Sequence, residues 1–111
     1  MEKAYRVKKS AEIENIMKNK SSVSDGYFVL YKITNPKNIH FRYALSVPKK
    51  YGIAVDRNLM KRRLREIIKV NQFVGDIDLF IITKVKAKEL NFQEIKIAVE
   101  KLFARAKILK G

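Results

Sequence analysis

The segment from Ile77 to Thr83 constrains the fold most, because its seven residues (Ile-Asp-Leu-Phe-Ile-Ile-Thr) are nearly all apolar. A strand with one solvated face alternates apolar and polar residues, whereas a continuous apolar strand is covered on both faces, as central or parallel strands are. The chain therefore has to cover both faces of the sheet that contains this strand. Its 111 residues suffice for one domain, which we expect to span residues 1–111.

The first half of the chain predicts one helix and three extended segments. Ile13, Ile16 and Met17 recur at helical spacing and predict a helix over 10–20, with Ser10 as a candidate N-cap. An edge strand or turn over 21–25, a strand over 27–34 and a strictly alternating, half-buried strand over 39–47 follow.

The second half places two helices around the apolar strand. Asp56 is a candidate cap for a helix that runs to about Asn71, and Asn91-Phe-Gln-Glu94 has the pattern of a capping box. The helix after that box carries its apolar residues on one face. The predicted order is α-β-β-β-α-β-α, a single-domain α+β fold in which a four-stranded sheet is packed by helices.

Charge narrows the class of partner. Lys and Arg total 25 against 11 Asp and Glu, a net charge of +14, and such an excess implies an anionic partner, nucleic acid more often than an acidic membrane. The absence of cysteine excludes disulfides, thiolate zinc sites and a cysteine nucleophile. No apolar run reaches the roughly 18 residues that span a bilayer, and no signal peptide is visible. We therefore expect a cytoplasmic protein with no membrane partner.

The helix over 57–71 concentrates this charge on one side. On a helical wheel its apolar residues share one side, and a cationic stripe occupies the adjoining side. Arg57, Lys61 and Arg65 stand four residues apart, where like charges repel by a few tenths of a kcal/mol. Residues 42–69 hold nine Lys or Arg against two acids. Such a helix suits a polyanionic backbone; a solvated basic face without a specific partner is the alternative.

The stretch Tyr51-Gly-Ile-Ala-Val-Asp-Arg-Asn-Leu-Met-Lys-Arg-Arg-Leu-Arg65 resembles the RNR motif of the bacterial ribonuclease P protein component. Ala44-Leu-Ser-Val-Pro-Lys-Lys50 resembles the strand and lysine pair that precede this motif. The resemblance covers nearly the whole chain and implies a protein subunit of the enzyme that removes the 5′ leader of precursor tRNA. It also implies a left-handed strand–helix–strand crossover around the motif helix, against the usual right-handed preference.

The resemblance further implies partners and site residues. The RNA subunit of the holoenzyme is expected to hold the active site with Mg²⁺, so the chain itself has no predicted catalytic residue or metal site. The expected partners are that RNA subunit and precursor tRNA, with no protein partner. Residues expected to face the RNA subunit are Arg57, Asn58, Lys61, Arg62, Arg65, Lys49 and Lys50. Residues expected to line a leader-binding cleft between the first helix and the sheet are Ile13, Met17, Tyr31 and Ser46.

Two departures from the family pattern affect these assignments. Leu59 stands at the second arginine of the motif, so one RNA contact is in question. Ile13 and Met17 stand where the family often has aromatic residues, and core packing is an equal alternative for both.

Two other functions stay open from the residues alone. A non-enzymatic RNA-binding module, such as a ribosomal or assembly protein, would share the charge but would not require the Gly-x-Ala-Val-x-Arg-Asn run. A metal-dependent nuclease would rest on Asp76 and Asp78, although such residues are more often a turn cap and a strand edge. His40, the one histidine, has no evident triad partner.

Overall fold

The computed structural model describes residues 3–19 and 21–110. It contains the expected order of elements: α1 (Ser10–Lys18), β1 (Ser22–Ser24), β2 (Phe28–Thr34), β3 (Arg42–Ser46), α2 (Ala54–Lys69), β4 (Ile77–Thr83) and α3 (Phe92–Ala106). Three short 3₁₀ turns occupy Lys3–Tyr5, Lys49–Tyr51 and Val85–Glu89. Within these described ranges, no helix is long and apolar enough to cross a membrane.

The sheet is mixed and has the strand order β1-β2-β4-β3. β2 runs antiparallel to both β1 and β4, whereas β3 runs parallel to β4 and is connected to it through α2. β4 is therefore an interior strand, and six of its seven residues are buried. These findings confirm the interpretation of the apolar run; the left hand of the β3–α2–β4 crossover stays a prediction from the resemblance.

Helices cover both faces of the sheet and divide the core into two layers. The larger layer joins the sheet to α2 and α3 and includes Phe28, Leu79, Leu64 and Phe103. The smaller layer lies under α1 and consists of Val7, Ile16, Ala44 and Phe80. At its margin lie the partly buried side chains of Ile13, Tyr31, Ile33 and Ile82.

Two of the three predicted helix caps are wrong. α1 is capped at Lys9 and α2 at Ile53, and neither cap residue makes a side-chain hydrogen bond. Ser10 is instead the first residue of α1. Asp56 lies in the first turn of α2, where its negative charge interacts favourably with the positive end of the helix dipole. The capping box at Asn91 is confirmed, since its side chain and that of Glu94 exchange bonds with each other's backbone N–H at 2.9 and 3.0 Å.

β3 is shorter than the predicted strand over 39–47. Ile39 belongs to the preceding bend and is 96% exposed. The prediction of a half-buried strand is also wrong, because the consecutive residues Tyr43 and Ala44 are both buried. The alternation correctly separates the two faces of β3, but helices lie on both of them.

Candidate nucleic-acid interface

α2 turns one side to the core and the other to solvent. Its residues Met60, Leu64, Ile67 and Ile68 are at most 2% exposed, as the wheel predicts. The cationic stripe faces away from them: Asn58, Arg62 and Lys69 are exposed, and Arg57, Lys61 and Arg65 are half-buried along its margin. Burial of the apolar side therefore fixes which way the cations point.

The turn before α2 places further cations beside this stripe. Lys49 and Lys50 are exposed on the 3₁₀ turn, and Arg57 Nε donates to the Gly52 carbonyl at 3.1 Å. A Cβ at position 52 would lie 2.9 Å from Asp56 Oδ2, so any residue other than glycine would require the Asp56 side chain to shift. We define the basic face as the seven residues that the family resemblance implies for contact with the RNA subunit: Lys49, Lys50, Arg57, Asn58, Lys61, Arg62 and Arg65.

A cavity of about 270 Å³ lies where α2 meets the β3 edge of the sheet. Lys61 and Arg65 line it from α2, Arg6 and Lys8 line it from the N-terminal segment, and Ile13 lines it from α1. Among the residues that the structure describes, no acidic side chain lines the cavity. Four cations around one concave space make a site that favours an anion.

The sequence did not predict that the N-terminal segment lines this cavity. Arg6 pairs with Tyr43 in an isolated parallel bridge, and Val7 N donates to the Tyr43 carbonyl at 2.7 Å. This pairing carries Arg6 and Lys8 to the edge of β3, opposite α2. In the sequence, Arg6 and Lys8 are simply two cations on either side of Val7. This pattern has no periodicity that would relate the two residues to α2.

Tyr43 adds a buried hydroxyl to the lining of the cavity. The residue is 1% exposed, and among the described residues its hydroxyl has no hydrogen-bond partner. Burial raises the pKa of this phenol, although Arg6 and Arg65 act in the opposite direction. The hydroxyl is therefore protonated at neutral pH and can donate a hydrogen bond.

The predicted cleft lies between α1 and the sheet. Tyr31 is half-buried there, and its ring stacks on that of Phe80 at 6.4 Å between centroids. Ser46 pairs with Ile82 two positions beyond Ala44, and so lies on the same face of the sheet. Ile13 is partly buried at the margin of the core, whereas Met17 is 39% exposed. The structure thus brings Tyr31, Ser46 and Ile13 to one surface, with Met17 on the open side of α1.

A buried carboxylate ties α1 to the sheet. Asp78 accepts bonds from Arg42 Nε at 3.0 Å and Arg42 Nη2 at 2.8 Å, and Arg42 Nη2 also contacts Glu12 of α1 at 2.6 Å. Asn38 and Asn35 donate to the same carboxylate at 2.7 and 3.2 Å. Burial raises the pKa of Asp78, but the bonds from Arg42, Asn38 and Asn35 outweigh it and hold that pKa below its usual value.

These contacts revise two sequence interpretations. Both oxygens of Asp78 are engaged by side-chain donors, and Asp76 is exposed in the turn before β4, so the pair forms no nuclease-like cluster. Arg42 belongs to the basic segment of the sequence, yet its guanidinium binds the buried carboxylate of Asp78. Hydrogen bonding to Asp78 raises the pKa of Arg42.

Comparisons with known proteins agree with this architecture. The family model described as Ribonuclease P matches residues 1–107. The ribonuclease P protein component of Staphylococcus epidermidis is 41% identical over 109 residues, which cover 97% of this chain and 95% of that protein. That of Macrococcus caseolyticus is 40% identical over 112 residues, which cover 100% and 95%.

Solved structures extend the likeness to three dimensions. The RNase P protein of Staphylococcus aureus superposes with a TM-score of 0.91 at 37% identity, covering 97% of this chain and all of that one (100%). The RNase P protein of Thermotoga maritima gives a TM-score of 0.81 at 25% identity, covering 96% and 98%. These matches favour a ribonuclease P subunit over a ribosomal or assembly protein. The chain belongs to the ribonuclease P protein family, as a protein subunit of that enzyme.

Proposed function

We propose that the basic face binds the RNA subunit of ribonuclease P and that the cleft under α1 binds the 5′ leader of precursor tRNA. The RNA subunit carries out the phosphodiester hydrolysis with its own Mg²⁺, in the cytoplasm. The protein supplies cations that offset repulsion between the two RNAs and a surface that holds the leader.

The main support for this proposal is the cavity at the β3 edge. Lys61 and Arg65 belong to the basic face, and they share the cavity with Ile13 of the cleft. Arg6 and Lys8 complete a ring of four cations around it. An RNA backbone that leaves the cleft therefore meets the margin of the basic face, with cations at the point where two polyanions approach each other.

The cleft itself offers a mixed surface to single-stranded RNA. Ile13, Tyr31 and Ile82 are partly buried apolar or aromatic side chains, and Ser46 adds a hydroxyl among them. Stacking on an aromatic side chain contributes roughly 1–3 kcal/mol per base. Because Tyr31 already packs on Phe80 and α1 carries Ile13 and Met17, we expect the leader to be held mainly by apolar contact.

The RNA-subunit contact is tested by the dependence of affinity on salt. We expect binding of the cognate RNA subunit to weaken steeply as salt rises, with a slope of roughly 0.9 per phosphate contact in double-stranded regions. Arg57→Ala with Arg65→Ala removes two cations of the basic face, and should weaken binding and flatten the slope by about 1–2. Lys101→Ala with Arg105→Ala removes the same charge from α3 and is the matched control. Equal effects of the two pairs would contradict the assignment of the basic face.

The leader contact is tested by adding a negative charge to the cleft. Ser46→Asp should weaken binding of leader-bearing precursor tRNA to the reconstituted holoenzyme and leave binding of mature tRNA unchanged. Gln93→Asp places the same charge at an exposed position of α3, on the other face of the sheet, and is the control. If Ser46→Asp weakened both ligands equally, or neither, the cleft would not be the leader site.

A further inference from the structure

A second cavity, of about 230 Å³, lies on the opposite flank of α2. It opens between that helix and the 3₁₀ turns Lys49–Tyr51 and Val85–Glu89, and it shares no lining residue with the cavity at the β3 edge. Its lining consists of Tyr51, Asp56, Leu59, Met60, Arg63 and Lys88. None of these residues belongs to the basic face or to the cleft.

The floor of this cavity is apolar. Tyr51 and Met60 are buried, at 7% and 2% exposure, and Leu59 stands at the rim with 40% of its surface exposed. Val55, one turn earlier in α2, is 70% exposed and lengthens the apolar strip. Exposed apolar side chains that adjoin a polar rim are typical of a binding site.

The rim combines one carboxylate with two cations. A Cβ at Gly52 would lie 2.9 Å from Asp56 Oδ2 and 3.4 Å from Lys88 Nζ, so both groups border the space that the glycine leaves open. Lys88 Nζ lies 5.6 Å from the centroid of the Tyr51 ring. Burial is the main cause that raises the pKa of Tyr51, with Arg63 lowering it and Asp56 raising it, so both charges act on this phenol. A ligand here meets an acceptor and cationic donors above an apolar floor.

We propose that this cavity receives one unstacked base of the RNA partner and prefers guanine. The inference rests on the proposed function, since Leu59 directly follows Asn58 of the basic face and RNA on that face passes the mouth of the cavity. The volume lies below the roughly 300 Å³ at which pockets for drug-sized ligands begin, and so suits a single base. RNA-binding proteins commonly read bases that are splayed out of the stack.

The preference for guanine follows from the rim. Arg and Lys are the side chains that most often bind guanine O6 and N7, and Arg63 and Lys88 can supply those donors. The Asp56 carboxylate accepts hydrogen bonds only, and guanine carries two N–H groups side by side on its Watson–Crick edge. Adenine has an acceptor nitrogen at the central position of that edge, which a carboxylate repels.

The test follows the methyl signals of Leu59 and Met60 by NMR while the full chain is titrated with the pentanucleotides UUGUU and UUAUU. We expect both signals to shift with UUGUU, which should bind about tenfold more tightly than UUAUU, the lower part of the range for one specific base contact. Asp56→Ala should abolish this preference. Glu66→Ala, which removes the same charge from an exposed position of α2, should preserve it.

Leu59→Ala provides a second variant at a side chain that is 40% exposed. It should weaken binding of UUGUU several-fold and leave the circular dichroism spectrum unchanged. Unshifted Leu59 and Met60 signals, or equal affinities for the two pentanucleotides, would overturn the inference. If Arg57→Ala with Arg65→Ala still weakened binding of the RNA subunit, the proposed function would survive that failure. Loss of that effect would count against the proposed function instead.

Discussion

The guanidinium of Arg42 is the group whose removal best tests how the sheet and α1 are held together. It makes two bonds to Asp78, whose side chain is 4% exposed, and one to Glu12, whose side chain is 35% exposed. Arg42→Ala leaves a buried carboxylate with Asn35 and Asn38 as its remaining side-chain donors. The substitution therefore removes the positive charge that pairs with Asp78, while the Asp78 carboxylate stays buried.

The expected loss of stability is large. Removing one partner of a buried ion pair costs about 3–5 kcal/mol. Because the Arg42 side chain is 23% exposed and two amides stay bound to Asp78, we expect the lower end, about 3 kcal/mol at pH 7. The more exposed Glu12 bridge contributes roughly 0.2–1 kcal/mol, which Glu12→Gln should reveal. Urea unfolding followed by circular dichroism measures both free energies.

The difference in stability between the two proteins should also depend on pH. With Arg42 present, the folded pKa of Asp78 lies below the unfolded value of 3.8, so its stabilising contribution is complete above 3.8 and is lost as pH falls through the folded pKa. In Arg42→Ala, the hydrogen bonds and the charge of Arg42 no longer lower the pKa of Asp78, so the folded pKa of Asp78 lies higher in the variant than in the parent protein. The two proteins differ most where Asp78 is ionised in both, and the difference is lost once both are protonated. The difference in the free energy of unfolding should therefore be largest at pH 7 and smaller at about pH 3.

A matched substitution separates this effect from a general loss of charge. Arg62→Ala removes an exposed arginine of α2 that forms no ion pair within the described residues, and should change stability by less than about 0.5 kcal/mol. A loss below about 1 kcal/mol for Arg42→Ala at pH 7 would refute the reasoning. So would a loss that stays constant from pH 7 to about pH 3.

Four further substitutions test the core, a cap, a turn and an unpartnered hydroxyl, and urea unfolding measures each. Leu64→Ala, at a side chain with no exposed surface, should cost about 2–5 kcal/mol, and a smaller loss would mean that α2 packs loosely on the sheet. Asn91→Ala should cost about 1 kcal/mol by removing the capping box of α3; no loss would mean that the box adds nothing. Gly52→Ala should destabilise the chain because its Cβ would lie 2.9 Å from Asp56 Oδ2, and unchanged stability would show that this side chain moves freely. Tyr43→Phe should leave stability unchanged or raise it by up to about 1 kcal/mol, since the hydroxyl has no hydrogen-bond partner within residues 3–19 and 21–110; a marked loss would show that the hydroxyl is bonded.

The sequence predicted those elements whose signals are local. The apolar run of β4, the capping box of α3 and the two sides of α2 each follow from residues that are neighbours in the chain. The seven residues of the basic face lie within one turn and one helix, so a single motif could assign them together. Their contacts with RNA stay a prediction.

Contacts between residues that lie far apart in the sequence could not be predicted. The donors around Asp78 come from the turn before β3 and from β3 itself, and Glu12 of α1 accepts a hydrogen bond from Arg42. Arg6 reaches the cavity only because its segment pairs with Tyr43. The start of α2 was misplaced because the buried Tyr51 anchors the preceding 3₁₀ turn, and the helix then begins before Asp56. Such positions depend on packing that no local pattern encodes.

The position of β4 has a consequence for the synthesis of the chain. β4 is the last strand to be made, yet β2 pairs with it over seven residues and β3 over five, and neither pairs with the other. At about 5–20 residues per second, translation from Thr34 to Ile77 takes a few seconds, so β2 and β3 are both complete before their common partner exists. Truncation before β4 would leave the three-residue pairing of β1 with β2 and no strand paired with β3, so premature termination costs most of the sheet and not a single strand.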